Sequence, residues 1–163
     1  MEVMTDAELI GELDSEDYRA CDRAATGIFE AGERMIGPLL MLRGRKQPYA
    51  GTLGNPRGSM TTIKPRAGSE LSPEQSERVV TVEAAALYLI SAIYAGRMDF
   101  ASSALLTDLE LPAEKRKAAN NSALLERGFT SASKWSESVA QDGLKALQER
   151  GEGPLKQARL AFW

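Results

Sequence analysis

The sequence predicts an all-α fold of five to seven helices, with one long irregular insert between them. Apolar residues recur at helical spacing over most of the chain, and cap-forming residues precede several of these segments. Residues 44–71, in contrast, show no sustained period and are rich in Gly and Pro. A chain of 163 residues is long enough to bury a core, so residues 1–163 are expected to form a single helical domain.

The N-terminal third predicts three helices. Thr5 and Glu8 have the spacing of a capping box, in which each residue bonds the backbone of the other and starts a helix. Ser15 is expected to cap a second helix, which ends at Gly32 because glycine accepts the left-handed conformation of a C-terminal cap. A third helix with a leucine-rich face is expected to continue up to Gly44.

Two further helix starts follow the insert. Ser72 and Gln75 form a second capping-box pattern, with a proline between them at the first helical position. Thr81 is placed to cap a helix whose residues 82–94 are apolar nearly all round, and Gly96 is expected to end it. Such a helix is usually central and covered on several sides. Residues 101–106 are expected to form another short helix.

Prolines and glycines divide the C-terminal part into the last predicted helices. Pro112 is expected to open a helix that ends at Gly128, because proline fits the first helical turn and glycine fits the end. Ser131 is expected to cap the next helix, which ends near Gly151. Pro154 then opens a last turn or two.

Residues 9–42 carry a recognisable pattern, formed by Leu13-Asp-Ser-Glu-Asp-Tyr18, Arg23-Ala-Ala25, Ile28-Phe29, Gly32 and Ile36-Gly-Pro-Leu-Leu40. It resembles one repeat of the HEAT-like α-solenoid family, in which paired helices approach closely through Ala residues and bury a Leu stripe. Residues 81–96 also resemble part of bacterial HEAT-repeat-like proteins of unassigned role. The resemblance implies a helical hairpin at the N-terminal end and binding of a protein partner, and it transfers no functional residue.

Composition excludes several classes of function. The chain has no His, so His-based triads, Cys–His dyads and His-containing zinc sites are excluded. We expect no cofactor and no metal. The net charge of −3 argues against general nucleic-acid binding. The longest apolar stretch, residues 84–90, is far shorter than the roughly 20 residues of a membrane-spanning helix, so no membrane span is expected.

The compartment is indicated only by two weak signals. The single cysteine, Cys21, permits no intramolecular disulfide, which fits a reducing compartment. The first residues are acidic and include no apolar segment of the kind found in a signal peptide. A cytoplasmic location is therefore favoured, and a secreted domain whose signal has been removed remains the alternative.

A basic stretch overlaps the insert. Residues 34–69 contain no Asp or Glu, whereas the rest of the chain is strongly acidic. Long irregular loops in compact domains tend to be functional, so cations here are candidates for binding a partner that carries acidic groups. The candidate residues are Arg43, Arg45, Lys46, Arg57, Lys64 and Arg66. The alternative is a surface connection whose cations pair with the acidic helices of the same chain.

The sequence favours a non-catalytic protein-interaction module of unknown partner and unknown oligomeric state. One alternative is a histidine-independent enzyme that uses carboxylates on a polar substrate such as a glycan. The clustered carboxylates are Asp14, Glu16 and Asp17 at a helix start and Asp108 and Glu110 near a turn. Capping and the helix dipole explain the first cluster, so no catalytic residue is assigned. A second alternative is a structural subunit that self-associates through the apolar helix near Leu87.

Overall fold

A computed structural model describes residues 4–54, 62–66 and 68–163. These parts of the chain contain seven α-helical segments, two short strands and two 3₁₀ turns, so the predicted all-α class is confirmed. The helices are α1 (Asp6–Leu13), α2 (Tyr18–Ala31), α3 (Ile36–Leu40), α4 (Pro73–Ser76), α5 (Val82–Ala95), α6 (Ser122–Asp142) and α7 (Leu144–Arg150). The strands are β1 (Leu106–Asp108) and β2 (Leu160–Phe162), and the 3₁₀ turns are Gly32–Met35 and Ala113–Lys115.

The caps at the N-terminal end follow the predicted chemistry with one shift. Thr5 and Glu8 form the expected capping box at the start of α1. Asp17, and not Ser15, is the N-cap of α2, since its side chain accepts a hydrogen bond from the Arg19 amide. The Ser15 hydroxyl oxygen instead accepts a hydrogen bond from the Asp17 amide and supports the cap. The carboxylate of Asp17 therefore takes the cap position that the sequence assigned to Ser15.

The third predicted helix is much shorter than expected. Gly32 ends α2 with a φ of 75°, as a glycine cap should, but a 3₁₀ turn follows it directly. The α-helix α3 then covers only Ile36–Leu40, and the chain continues to Gly44 in turns. Its buried residues Ile36 and Leu39 face the core, so the leucine-rich stripe is used even though the helix is brief.

Helix α5 forms the centre of the molecule, as its apolar sequence predicts. Every residue from Val82 to Ile93 is buried, and α2, α3, α6 and α7 all pack against it. Thr81 caps it and Gly96 ends it in the left-handed conformation, both as predicted. The second capping box, between Ser72 and Gln75, is also confirmed at α4. Within the described residues, no helix is both long enough and apolar enough to cross a bilayer.

The prediction of a helix at residues 101–106 is wrong. This segment is irregular and leads into β1, which pairs antiparallel with β2 so that Leu106 lies opposite Phe162. The buried Asn120 side chain accepts a hydrogen bond from the Leu106 amide and donates one to the Ala104 carbonyl. A distant side chain and a distant strand therefore satisfy backbone groups that a helix would have satisfied locally.

The two helices predicted around Gly128 and Ser131 are one continuous helix. Pro112 is followed only by a 3₁₀ turn, and α6 begins at Ser122 with Asn121 as its N-cap. Gly128 lies inside α6, and a Cβ there would come within 2.7 Å of the Leu87 side chain, so the glycine permits close packing of α6 on α5. Ser131 is buried, and its hydroxyl donates to the Pro154 carbonyl.

The C-terminal segment closes one end of the core. The helix predicted to run from Ser131 to near Gly151 is interrupted at Gly143, which separates α6 from α7, and α7 ends at Gly151. The turns after Pro154 lead into β2, which the sequence did not predict. The Phe162 ring packs edge-on against Tyr88, with ring centres 5.2 Å apart. Tyr88 itself is fully buried, so this contact fixes β2 against α5.

Candidate functional site

The insert begins at a polar tether to α5. Glu83, in the first turn of α5, is only 4% exposed, and its carboxylate accepts hydrogen bonds from the Gly44 amide at 3.1 Å and from Lys46 Nζ at 3.0 Å. The Glu83 amide in turn donates to the Arg45 carbonyl. A buried carboxylate requires such partners because an uncompensated buried charge is costly. The tether therefore fixes residues 44–46 against the N-terminal end of α5.

Two further carboxylates hold the insert against α1 and α2. Asp14 Oδ1 accepts a hydrogen bond from Gln47 Nε2 at 2.6 Å, and Asp14 Oδ2 lies 3.6 Å from Arg45 Nη1. Asp22 Oδ1 accepts a hydrogen bond from the Thr52 amide at 2.7 Å. The connection between α3 and α4 is thus fastened at separate points to the corner between α1 and α2.

Short extended segments of backbone bond to one another beside this corner. The Tyr49 amide donates to the Val80 carbonyl at 2.8 Å, and the Ile63 amide donates to the Arg78 carbonyl at 2.9 Å. Two points of the described insert are therefore bonded to residues 78–80, which precede α5. Residues 62 and 63 belong to neither strand of the two-stranded sheet.

Lys64 links the second part of the insert to the first. Its ammonium donates to the Ala50 carbonyl at 2.6 Å and to the Gly51 carbonyl at 3.0 Å. A Cβ at Gly51 would lie 2.6 Å from the Tyr49 hydroxyl oxygen and 2.7 Å from Asp22 Oδ1, so only glycine fits here without a shift of its neighbours. This close approach sets the shape of the insert next to α2.

These segments enclose an open groove with a volume of about 880 Å³. One side is the corner at residues 14–18, and the other sides are residues 47–53, 62–65 and 79–80. Apolar lining residues include Leu53, Ile63 and Val79. Tyr18 also lines the groove and is 53% exposed, so an aromatic side chain is available at the opening.

The Tyr49 and Cys21 side chains beside this groove are buried and protonated at neutral pH. The Tyr49 hydroxyl donates to the Cys21 carbonyl at 3.4 Å, and burial raises the pKa of Tyr49 far above its ordinary value. Cys21 is fully buried, and its thiol donates to the Ser15 carbonyl at 3.1 Å. Burial raises the pKa of Cys21, although hydrogen bonding from the Ala50 backbone opposes the shift. A thiol in this state is not a nucleophile.

The predicted partner-binding cations contact different parts of the body. Arg43 lies 3.5 Å from Glu126 of α6, whereas Arg45 and Lys46 pair with Asp14 and Glu83 as described above. The acidic helices of the same chain therefore already supply a carboxylate to each of these three cations. The Arg43–Glu126 and Arg45–Asp14 pairs are partly exposed and weak, so these two arginines can exchange their partners, whereas Lys46 pairs with the buried Glu83.

The remaining predicted cations differ in their surroundings. Lys64 is held by backbone carbonyls and lines the groove. Arg66 is exposed and forms no ion pair with any described residue. Arg57, together with the rest of residues 55–61, lies outside the described residues. Binding of an acidic partner by these cations stays a prediction.

The second carboxylate cluster forms an ion-pair network on α6. Arg127 Nη1 lies 3.2 Å from Asp108 Oδ2, and Arg127 Nη2 lies 3.4 Å from Glu110 Oε2. The hydrogen bond from Arg127 lowers the pKa of Asp108 below its ordinary value. A glycosidase needs one carboxyl group whose pKa is raised, so Asp108 has the opposite tuning. Among the described residues, no group of three Asp, Glu or Cys side chains could hold a metal ion.

Sequence reasoning missed the groove because its walls come from four separate segments of the chain. Tyr18 and the Val79-Val80 pair lie far apart in the sequence, and no local pattern connects them. A usable signal was present in Tyr49 and Leu53, two large apolar residues within an irregular polar stretch, and both are buried.

The sequence matches no known family model, and no curated protein or solved structure shows significant similarity to it. The class of the site therefore rests on its geometry. It is an open groove on an all-α body, lined by both apolar and polar side chains, with the carboxylates of Asp14 and Glu16 among them.

Proposed function

We propose that the protein is a non-catalytic protein-interaction module whose partner binds the groove between residues 14–18 and the insert. The observation that carries this proposal is the groove itself, which is lined by apolar side chains and has the exposed ring of Tyr18 at its opening. Tyrosine is enriched at protein interfaces because its ring offers a large contact area and its hydroxyl offers a hydrogen bond. The HEAT-like pattern in residues 9–42 implies the same class of function.

The chemistry beside the groove favours binding over catalysis. Asp14 and Asp22 are occupied by hydrogen bonds that hold the insert, and Cys21 is buried and protonated. A histidine-independent enzyme remains the alternative, with Glu16 as the carboxylate that lines the groove without such a bond. We assign no catalytic residue.

The other functional hypotheses use different surfaces. Self-association near Leu87 would need another face, because Leu87 is fully buried inside a single chain. Among the described candidate cations, Arg66 is the one best placed to bind an acidic partner, because it is exposed and has no described ion pair. Both hypotheses stay open as alternatives to binding in the groove.

Site-directed photocrosslinking tests the proposal. A benzoylphenylalanine at Thr52, which is exposed and lines the groove, should form one discrete protein adduct when the full chain is irradiated in a lysate of its source. The same group at Glu137, exposed on α6, serves as the matched control. The adducted protein is then purified, and its affinity for the wild-type chain is measured. Identical adducts at both positions, or none at Thr52, would contradict the proposal, and an adduct with a second copy would favour the structural subunit.

A further inference from the structure

The insert contributes two walls to the groove, residues 47–53 and residues 62–65. Lys64 joins the second wall to the first, because its ammonium donates to the carbonyls of Ala50 at 2.6 Å and Gly51 at 3.0 Å. No described carboxylate pairs with this ammonium, so the two carbonyls are its partners within the described chain. Hydrogen bonds from a charged donor are stronger than those between neutral groups, and these two hold the walls together.

Asp22 of α2 holds the same stretch of backbone. Its Oδ1 accepts a hydrogen bond from the Thr52 amide at 2.7 Å, directly after the carbonyls that hold Lys64. A Cβ at Gly51 would lie 2.7 Å from the same oxygen atom, so glycine lets the carboxylate and the backbone approach closely. Among the described residues, Asp22 lies outside the lining of the groove. An effect of Asp22 on binding would therefore pass through the backbone that it holds.

We propose that Asp22 and Lys64 are positioning residues that act together as one clasp, which holds the two walls in the shape that a partner binds. This inference rests on the proposed function. A site whose walls are already in place loses less conformational entropy on binding, so the affinity for a partner depends on the clasp. The clasp consists of a few directional bonds, so breaking it should loosen the walls without unfolding α5.

Cys21 reports on the clasp without any partner. It is the single cysteine of the chain and is fully buried, and the backbone of Ala50 and Gly51 lies against its thiol. The hydroxyl of Tyr49, in the same wall, donates to the Cys21 carbonyl at 3.4 Å. Movement of this wall should expose the thiol. The rate at which Cys21 reacts with dithiobis-nitrobenzoate therefore measures how readily the clasp opens.

Reaction rates of clasp variants test whether the two residues act as one unit. Lys64→Met removes the donor and Asp22→Ala removes the acceptor, and each should raise the rate at Cys21 by about 3- to 10-fold, as for a partly exposed hydrogen bond to a charged group. The double variant should react about as fast as either single variant, because the clasp is already open. Lys64→Arg keeps a charged donor and Asp22→Asn keeps an acceptor, so both should preserve most of the protection.

Two controls separate opening of the clasp from other causes. Lys134→Met makes the same change of charge on α6, where Lys134 is exposed, and should leave the rate at Cys21 unchanged. Hydrogen exchange at the Leu87 amide of α5 should stay slow in both clasp variants, because Leu87 is fully buried and only unfolding of the core would speed it.

Affinity for the protein captured at Thr52 tests the positioning role. Lys64→Met and Asp22→Ala should each weaken this affinity by about 2- to 5-fold, because part of the binding energy is then used to order the walls. Lys64→Arg and Asp22→Asn should bind nearly as tightly as wild type.

Different outcomes would overturn different parts of the inference. Unchanged rates at Cys21, rate increases that multiply in the double variant, or faster exchange at Leu87 would each show that there is no clasp. Faster reaction at Cys21 with unchanged affinity would overturn the positioning role alone. If Thr52 captures no protein, the proposed function fails, while the rates at Cys21 still decide whether Asp22 and Lys64 form a clasp.

Discussion

Helix α5 and the insert at residues 44–71 are held in place by different forces. Every residue of α5 from Val82 to Ile93 is buried, and neighbouring helices cover it on several sides. In the described insert only Tyr49, Gly51 and Leu53 are buried, and polar bonds to Asp14, Asp22 and Glu83 fasten the segment. The core therefore depends on packing volume, whereas the groove wall depends on a few directional bonds. Changes that damage one region should leave the other largely intact.

The largest effect is expected from a change of volume in the core. Phe129 of α6 is fully buried, so Phe129→Ala should lower the free energy of unfolding by about 3–5 kcal/mol, through lost transfer energy and a residual cavity. Leu111→Ala is the control, because Leu111 is 40% exposed and its loss should cost less than about 0.5 kcal/mol. Urea unfolding measures both values. Equal losses would mean that the core is not packed as the structure shows.

The next effect tests the tether between the insert and α5. Glu83→Ala removes the acceptor for the Gly44 amide and for Lys46, and we expect a loss of about 2–3 kcal/mol. Lys46→Ala should cost about 1 kcal/mol, because the Lys46 side chain is 61% exposed and partly hydrated. Hydrogen exchange should speed up at the Gly44 amide in Glu83→Ala but stay slow at the Leu87 amide. Faster exchange at both amides would contradict the separation of the two regions.

Local signals explain which parts of the fold the sequence predicts. The caps at Thr5, Ser72 and Thr81 join residues three apart, and the sequence was sufficient to locate them. Gly128 shows the opposite case, because it resembles a helix end but lies inside α6 to accommodate the Leu87 side chain. Nothing in the residues around Gly128 distinguishes these two uses of glycine.

The groove depends almost entirely on contacts between distant residues. Gln47 bonds to Asp14 across 33 positions, and the Thr52 amide bonds to Asp22 across 30 positions. Loop periodicity and composition carry no information on such pairings. The sequence could predict that residues 44–71 are irregular and basic, but not that residues 47–53 and 62–65 form a groove with the corner between α1 and α2.

A pair of glycines gives a third and smaller test. Gly51→Ala places a Cβ 2.6 Å from the Tyr49 hydroxyl oxygen, so the insert must shift, and we expect a loss of about 1–2 kcal/mol with weaker binding in the groove. Gly37 lies in α3 with nothing within 4 Å of its added Cβ, so Gly37→Ala should stabilise the chain by about 0.5–1 kcal/mol. Thermal unfolding distinguishes the signs. A stabilising Gly51→Ala would mean that the insert does not approach α2 this closely.

The smallest expected effect is a loss of stability that depends on pH. It distinguishes stabilisation by an ion pair, which changes with pH, from stabilisation by apolar packing, which does not. The hydrogen bond from Arg127 lowers the pKa of Asp108 in the folded chain below the value of about 3.9 expected when unfolded. Its stabilisation is therefore fully present above about pH 4 and is lost as pH falls through the lowered folded pKa. Asp108→Asn should be less stable than wild type at pH 7, and the difference should shrink in acid.

Phe129→Leu is the matched control for this pH test, because it changes packing alone. Its loss in free energy of unfolding, about 1–2 kcal/mol, should be the same at every pH, since no titrating group is altered. Urea titrations from pH 3 to pH 7 measure both variants against wild type. If the deficit of Asp108→Asn does not change over this range, Arg127 does not stabilise the ionised carboxylate. If the loss in free energy of unfolding caused by Phe129→Leu changes with pH, core packing and charge are coupled. The core and the polar contacts would then not be independent, as proposed above.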